Sequence, residues 1–285
     1  MRASWLRITA AVLALTVVFG ISSTQTVAAS TVQVVRDHVG IALTPDGSGY
    51  WLVRTRGEVS TFGNAAPHGD ARNLSLNARV VGVTRTTSGG GYWIVAADGG
   101  VFAYGDAKFF GSDLSNQRSS AIVDFEATST GDGYWLLDSS GAVSTFGGAT
   151  PQNGDVAIGG SNPAVGLATT PTGNGYWTVR MSGEVTPFGV AAAHGDPRSL
   201  RMNAGIVGMT PTPTGNGYWL VGGDGGVFSY GDARFFGSAA SFRLAAPVTG
   251  IQATPSGSGY FLIAKDGGVF AFGDAAFRGG DVPAS

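Results

Sequence analysis

Gly215-Asn216-Gly217-Tyr218-Trp219-Leu220-Val221 decides the fold, because the chain states its Gly-Tyr-aromatic centre six times. Gly49-Tyr50-Trp51, Gly91-Tyr92-Trp93, Gly133-Tyr134-Trp135, Gly175-Tyr176-Trp177, Gly217-Tyr218-Trp219 and Gly259-Tyr260-Phe261 recur at a constant spacing of 42 residues. A fixed period of this length marks a repeat architecture and has to be read before any local motif.

One unit shows what is repeated. Val80-Val81-Gly82-Val83-Thr84 is a short β-rich run, and the turn Thr87-Ser88-Gly89-Gly90-Gly91 leads into Tyr92-Trp93-Ile94-Val95. Ala96-Ala97-Asp98-Gly99 then reverses the chain into Gly100-Val101-Phe102-Ala103-Tyr104-Gly105. β-branched and aromatic runs bounded by Gly and Asp are hairpin signals. No apolar stripe of helical period follows the first 29 residues, so no substantial helix is expected. Gly47, Gly89, Gly131, Gly173, Gly215 and Gly257 share one turn position, and Gly57, Gly99, Gly141, Gly183, Gly225 and Gly267 another. Gly in every copy predicts positive φ or close backbone approach.

In the middle strand Tyr92 and Ile94 face one way, Trp93 and Val95 the other. Both faces are apolar, so each small sheet must be covered on both sides. Sheets stacked around an axis meet that demand, and an open sheet with a wet face does not. Tyr50, Trp51, Tyr92, Trp93, Tyr134, Trp135, Tyr176, Trp177, Tyr218, Trp219, Tyr260 and Phe261 are therefore read as repeat core rather than as ligand platforms. A multivalent lectin is the competing reading of the same rings.

The ends argue for a closed circle. The last unit stops after Gly279-Gly280-Asp281, short of the connecting segment, while Thr31-Val32-Gln33-Val34 lies one period before Asn73-Leu74-Ser75-Leu76. An open solenoid would want polar caps, and none is visible. The expectation is all-β: a six-bladed β-propeller of six 42-residue repeats, closed by the mature N-terminal segment. Units one and four share a private likeness, Gly57-Glu58-Val59 with His68-Gly69-Asp70 against Gly183-Glu184-Val185 with His194-Gly195-Asp196, which points to an older duplication of three units.

Composition agrees with a turn-rich folded protein. Gly is 47 of 285 residues, against a usual share of about 7%, and charged residues are 13% against about 25%. Arg2 and Arg7, the apolar run from Ile8 to Ile21 and Val27-Ala28-Ala29 read as a secretory signal peptide over residues 1–29, leaving one domain over 30–285. The apolar run is shorter than the ~20 residues of a spanning helix, so no integral membrane segment is expected after cleavage, an uncleaved anchor being the alternative reading. The chain contains no Cys, which excludes a disulfide framework. Of 17 basic residues two lie in the leader, so 15 face 19 acidic ones, a net −4 that gives no case for nucleic acid. The predicted product is secreted or cell-wall associated and monomeric.

Asp224-Gly225-Gly226-Val227-Phe228-Ser229-Tyr230-Gly231-Asp232-Ala233 resembles the short repeats of many exported actinobacterial proteins, where similar arrays stand alone or beside cell-wall hydrolases. The layout also resembles, more distantly, the regulator-of-chromosome-condensation propeller repeat, although Phe-Gly or Tyr-Gly stands where that repeat has Trp-Gly. The first resemblance covers roughly residues 31–285. It implies an exported, propeller-like repeat protein and brings no catalytic residues.

Chemistry is sought where a unit breaks the pattern. Gly40, Gly82, Gly166, Gly208 and Gly250 hold one innermost-strand position, but the third unit has Asp124; two residues on it has Glu126, where the others have Ala, Thr or Gln. Residues two apart share a face of a strand, so both carboxylates are expected in a central channel. They form a cation site or an acid–base pair on one reading, and solvated carboxylates on the other. His68 and His194 are equivalent, and Phe110 and Phe236 at that position favour packing. Asp98, Asp224 and Asp266 are turn residues; Asp106, Asp232 and Asp274 end strands and lack a third ligand for calcium.

Units two, five and six pair Phe102, Phe228 and Phe270 with Phe109, Phe235 and Phe277, as if the two positions touch. Hydrolase, metalloprotease, phosphate-loop and dinucleotide signatures are missing, and no cofactor is implied. The leading expectation is a non-catalytic binding module for a cell-envelope glycan or an extracellular protein, acting through its blade-edge loops. The alternatives are a hydrolase or lyase at Asp124 and Glu126, and a structural spacer.

Overall fold

A computed structural model describes residues 37–114, 119–152 and 161–282, all within one compact unit, Val35–Ser285. The expected signal peptide and the closing segment Thr31–Val34 lie outside the described residues. The chain is all-β, with eighteen strands in six three-stranded antiparallel sheets. Sheet one is β1 (His38–Leu43), β2 (Gly49–Arg54) and β3 (Val59–Gly63); sheet two is β4 (Val80–Arg85), β5 (Gly91–Ala96) and β6 (Val101–Gly105). Sheet three is β7 (Ile122–Ala127), β8 (Gly133–Asp138) and β9 (Val143–Gly147); sheet four is β10 (Ala164–Thr169), β11 (Gly175–Arg180) and β12 (Val185–Gly189). Sheet five is β13 (Ile206–Pro211), β14 (Gly217–Gly222) and β15 (Val227–Gly231); sheet six is β16 (Val248–Ala253), β17 (Gly259–Ala264) and β18 (Val269–Gly273). Among the described residues the one helical element is a 3-10 turn, Pro197–Ser199.

The repeat fixes the register as well as the strands. Tyr50 pairs with Leu43 and Phe62, Trp51 with Ala42 and Thr61, and the other five sheets repeat these pairings. Each first strand also carries one irregularity, between His38 and Gly40 in sheet one and between Ile122 and Asp124 in sheet three. Such a bulge bends a strand and re-aims its side chains.

Both faces of every middle strand are buried, as the double apolar pattern predicts. All twelve motif aromatics are essentially inaccessible. Ala42, Trp51 and Val53 of sheet one pack with Val80, Tyr92 and Ile94 of sheet two. Ile41, Leu43, Tyr50 and Leu52, on the opposite face, pack with Phe261 and Ile263 of sheet six. Each Trp therefore meets the next unit's Tyr: Trp51–Tyr92 at 5.6 Å, Trp93–Tyr134 at 6.0 Å and Trp219–Tyr260 at 5.7 Å, and Phe261 meets Tyr50 at 5.3 Å. Burying one such side chain stabilises by about 1.5–3 kcal/mol, and edge-tilted ring contacts add to it. The architecture is consistent with a six-bladed propeller-like fold.

Polar tips of these rings are satisfied by loops. The Trp51 indole donates to Ala66 O at 2.7 Å, and Trp93, Trp135, Trp177 and Trp219 repeat the bond fifteen residues on. Tyr134 Oη donates to Gly111 O at 2.6 Å, tying its unit to the loop of the one before, and Tyr92, Tyr218 and Tyr260 repeat the bond. The turn glycines behave as expected, with φ of 70° at Gly47 and 71° at Gly215. A Cβ on Gly215 would lie 2.6 Å from Pro171 Cδ of the preceding unit, so that turn needs glycine for both conformation and space.

Candidate functional site

The first strands of all six sheets line a cavity of about 340 Å3 that holds both Asp124 and Glu126. A second cavity, about 460 Å3, is lined by the same strands nearer their hairpin ends and is shared by Glu126, Arg85 and Gln252. Each first strand pairs only with the middle strand of its own sheet, so its other edge is free of strand pairing.

The two carboxylates differ in their engagement. Asp124 Oδ2 accepts from Leu167 N of β10 at 2.8 Å, and Oδ1 accepts from Phe125 N at 2.9 Å. Asp124 thus borders the cavity while its carboxylate laces sheet three to sheet four. The equivalent Gly40 also lies close to the next first strand, since a Cβ there would be 3.3 Å from Val83 N. Thr210 laces sheet five to sheet six two residues further along, accepting from Ala253 N at 3.2 Å.

Glu126 lines both cavities. Burial pushes its carboxyl up to about 8, with Asp124 adding to the rise and Arg85 opposing it. Burial also lifts Asp124 to about 7, against the two amide bonds that favour its charged form. Both are half-buried by surface area, walled by strands yet open to the cavity. Arg85, whose guanidinium donates to Thr86 O at 3.0 Å, is the nearest cation on Glu126. The set can hold a proton at neutral pH. Among the described residues no group of three His, Asp or Glu is placed to hold a metal.

The remaining candidates have structural partners. Asp106 accepts from Thr86 Oγ1 at 2.8 Å and from Ser88, clasping the β4–β5 turn to the end of β6; Asp232 and Asp274 repeat this. Asp98, Asp224 and Asp266 each accept a turn amide at 3.0 Å. His68 lies between Trp51 and Tyr92, and His194 between Trp177 and Tyr218, with ring separations of 5.6–6.1 Å. Both imidazoles leave a buried Nε2 without a hydrogen-bond partner.

A cluster that sequence reasoning missed joins sheet six's trailing segment to sheet one. Asp281 Oδ2 lies 2.9 Å from His38 Nε2, 2.7 Å from Arg54 Nη2 and 2.5 Å from Ser60 Oγ. Burial would raise the Asp281 carboxyl, but the bonds from His38, Ser60 and Arg54 hold it well below the usual carboxylate range. Ser, His and Asp are all present, yet the serine donates to the aspartate, so no base stands beside the hydroxyl as acyl transfer requires. Its work is to tie the two sheets together.

Exposed apolar side chains are the other departure from a sealed core. Phe109, Phe235 and Phe277 are 58–61% exposed, and Phe270 makes its ring contact with Phe242, 6.1 Å away. Phe270 thus stacks on the neighbouring segment's Phe242. Leu74, Leu114, Leu200, Phe242 and Val282 are 49–56% exposed on the segments that follow the third strands, all at the end that bears the second hairpins.

No protein-family model matches the chain, and neither does any curated protein. Among the described residues no helix is long and apolar enough to cross a membrane.

Proposed function

We propose that the six sheets close into a six-bladed β-propeller, and that this propeller is an exported, non-catalytic binding module for a cell-envelope glycan or an extracellular protein. The closure is supported by three junction contacts that copy internal ones. Tyr50 bonds Gly279 as Tyr134 bonds Gly111, Phe261 meets Tyr50 as Trp93 meets Tyr134, and Gly47 sits on Pro255 as Gly89 sits on Pro45. Export and the kinship with actinobacterial repeat proteins rest on the leader-like start and the repeat sequence.

The observation that carries the binding role is the crown of exposed side chains. Five units each place one large apolar residue, Leu74, Leu114, Leu200, Phe242 or Val282, at the same end of their sheets. Apolar surface gathered in that way gains free energy when a partner covers it. The repeated Tyr and Trp are sealed inside and offer nothing to a ligand. Asp124 accepts from two amides, which counts against its serving as the second member of an acid–base pair with Glu126.

The test is retention of the purified chain on immobilised envelope polysaccharide and on secreted proteins, compared with the Leu114→Ser, Leu200→Ser, Phe242→Ser variant. Saturable retention lost in the variant supports the reading. Absence of retention from every surface would favour the spacer role and sink it.

A further inference from the structure

The six units act as internal controls for one another, and the first departs from the rest in charge. Its second hairpin has Arg56 where the other units have Asp98, Ser140, Ser182, Asp224 and Asp266. The residue before its next first strand is Arg79, where the corresponding positions hold Ala121, Pro163, Gly205 and Pro247. Arg72 recurs only as Arg198 of the fourth unit, the other four having Leu114, Val156, Ala240 and Val282.

These departures converge in space. The segment after β3 is pinned at both ends to its own hairpin, by Ala71 N to Gly57 O at 3.0 Å and by Val80 N to Thr55 O at 2.8 Å. Between the pins it bows outward around a cavity of about 410 Å3, lined by Arg56, Arg72, Arg79, Leu74, Leu76 and Asn77 among others. That volume falls within the range of about 300–1,000 Å3 typical of small-ligand sites. Arg72 is held by Asp70. Arg56 and Arg79 make no ion pair and no side-chain hydrogen bond among the described residues, so two guanidinium groups border the cavity uncommitted.

We infer that this groove binds an acidic glycan, taking a carboxylate or phosphate group between Arg56 and Arg79. Guanidinium forks match either oxyanion. Thr55 and Asn77 supply the hydroxyl and amide that sugar hydroxyls pair with, and Leu74 and Leu76 supply an apolar wall for the face of the ring. Nucleic acid is the poorer fit, because no aromatic side chain lines the groove to stack a base. The inference rests on the binding-module reading and names a ligand class and a place for it.

The test uses the full secreted chain, titrated by calorimetry with polygalacturonate, with a phosphorylated mannan, with neutral dextran and with inorganic polyphosphate. Arg56→Asp and Arg79→Ala are the variants, since each installs what other units of this chain already carry and so preserves the fold. The expected result is binding to one or both acidic glycans but not to dextran, weakened about tenfold by each variant and weakened by added salt. Which acidic glycan binds identifies the oxyanion. Equal binding of dextran, equal binding of polyphosphate, variants that bind like the parent, or no binding at all would each overturn the inference. Envelope retention of the parent chain separates the two readings: retention that Leu200→Ser, Phe242→Ser abolishes, beside no titration of the parent by either acidic glycan, removes the arginine site and leaves the binding module.

Discussion

Tyr50 and Gly279 lie 229 residues apart in the chain and are joined by a 2.6 Å hydrogen bond from the phenol to the carbonyl oxygen. Internal copies of this bond, Tyr134 to Gly111 and Tyr218 to Gly195, span 23 residues. The contact that joins the two ends of the array therefore has the geometry of the contacts within it. Tyr50→Phe should cost about 1 kcal/mol, the net worth of one such bond, and the same as Tyr134→Phe. Urea unfolding of both variants checks this, and a silent Tyr50→Phe beside a costly Tyr134→Phe would speak against an equivalent junction.

Glycines that look alike in sequence should respond differently to one methyl group. Gly215 has φ of 71° and Pro171 Cδ 2.6 Å from a built Cβ, so Gly215→Ala should destabilise by about 1–3 kcal/mol. On Gly250 the nearest atom to a built Cβ, Ile263 Cγ2, is 3.4 Å away, an ordinary contact. Gly250→Ala should be close to neutral. Thermal melts of the two variants decide it.

His68 and His194 each bury an Nε2 with no partner, at a position where Phe110 and Phe236 fill the same space in other units. An unsatisfied buried polar atom costs about 1–3 kcal/mol. His68→Phe and His194→Phe should therefore raise the melting temperature, separately and together, because the two sites are three units apart. A fall in either variant would mean that the imidazole has a role the packing does not reveal.

Glu126 links stability to pH. Its carboxyl lies near 8 in the folded protein against an ordinary 4.5, so the folded state keeps a proton that the unfolded chain has lost. The resulting stabilisation is fully present below about pH 4 and is lost as pH rises through about 8, and Asp124, near 7, acts in the same direction. Glutamine mimics the protonated acid. Glu126→Gln should match the parent at pH 4 and melt above it at pH 9; equal melting temperatures across that range would remove the linkage.

What was legible in the sequence is what packing forces to be uniform. Tyr92 and Trp93 had to be apolar on both faces, so neighbouring residues announced a doubly covered sheet, and Gly89 announced its turn. What was hidden depends on geometry that no residue type marks. Asp124 borders the cavity and also accepts from Leu167 N of the next sheet, a bond between residues 43 apart in the chain. The segment after each third strand sends Phe277 outward and leaves Phe270 to meet Phe242. His38 and Asp281 are 243 residues apart and meet where sheet six's trailing segment packs on sheet one. Arg56, Arg72 and Arg79 were visible as residues, but their common groove follows from how the segment after β3 is pinned.

The central claim is that an apolar crown on a closed repeat body holds a partner outside the cell. Its most direct test is a saturation-binding measurement of the purified chain on envelope preparations, with and without the Leu114→Ser, Leu200→Ser, Phe242→Ser changes. Saturable binding that the three substitutions abolish, with the melting temperature unchanged, is the predicted result. Binding that is absent, or that survives all three, would contradict the claim.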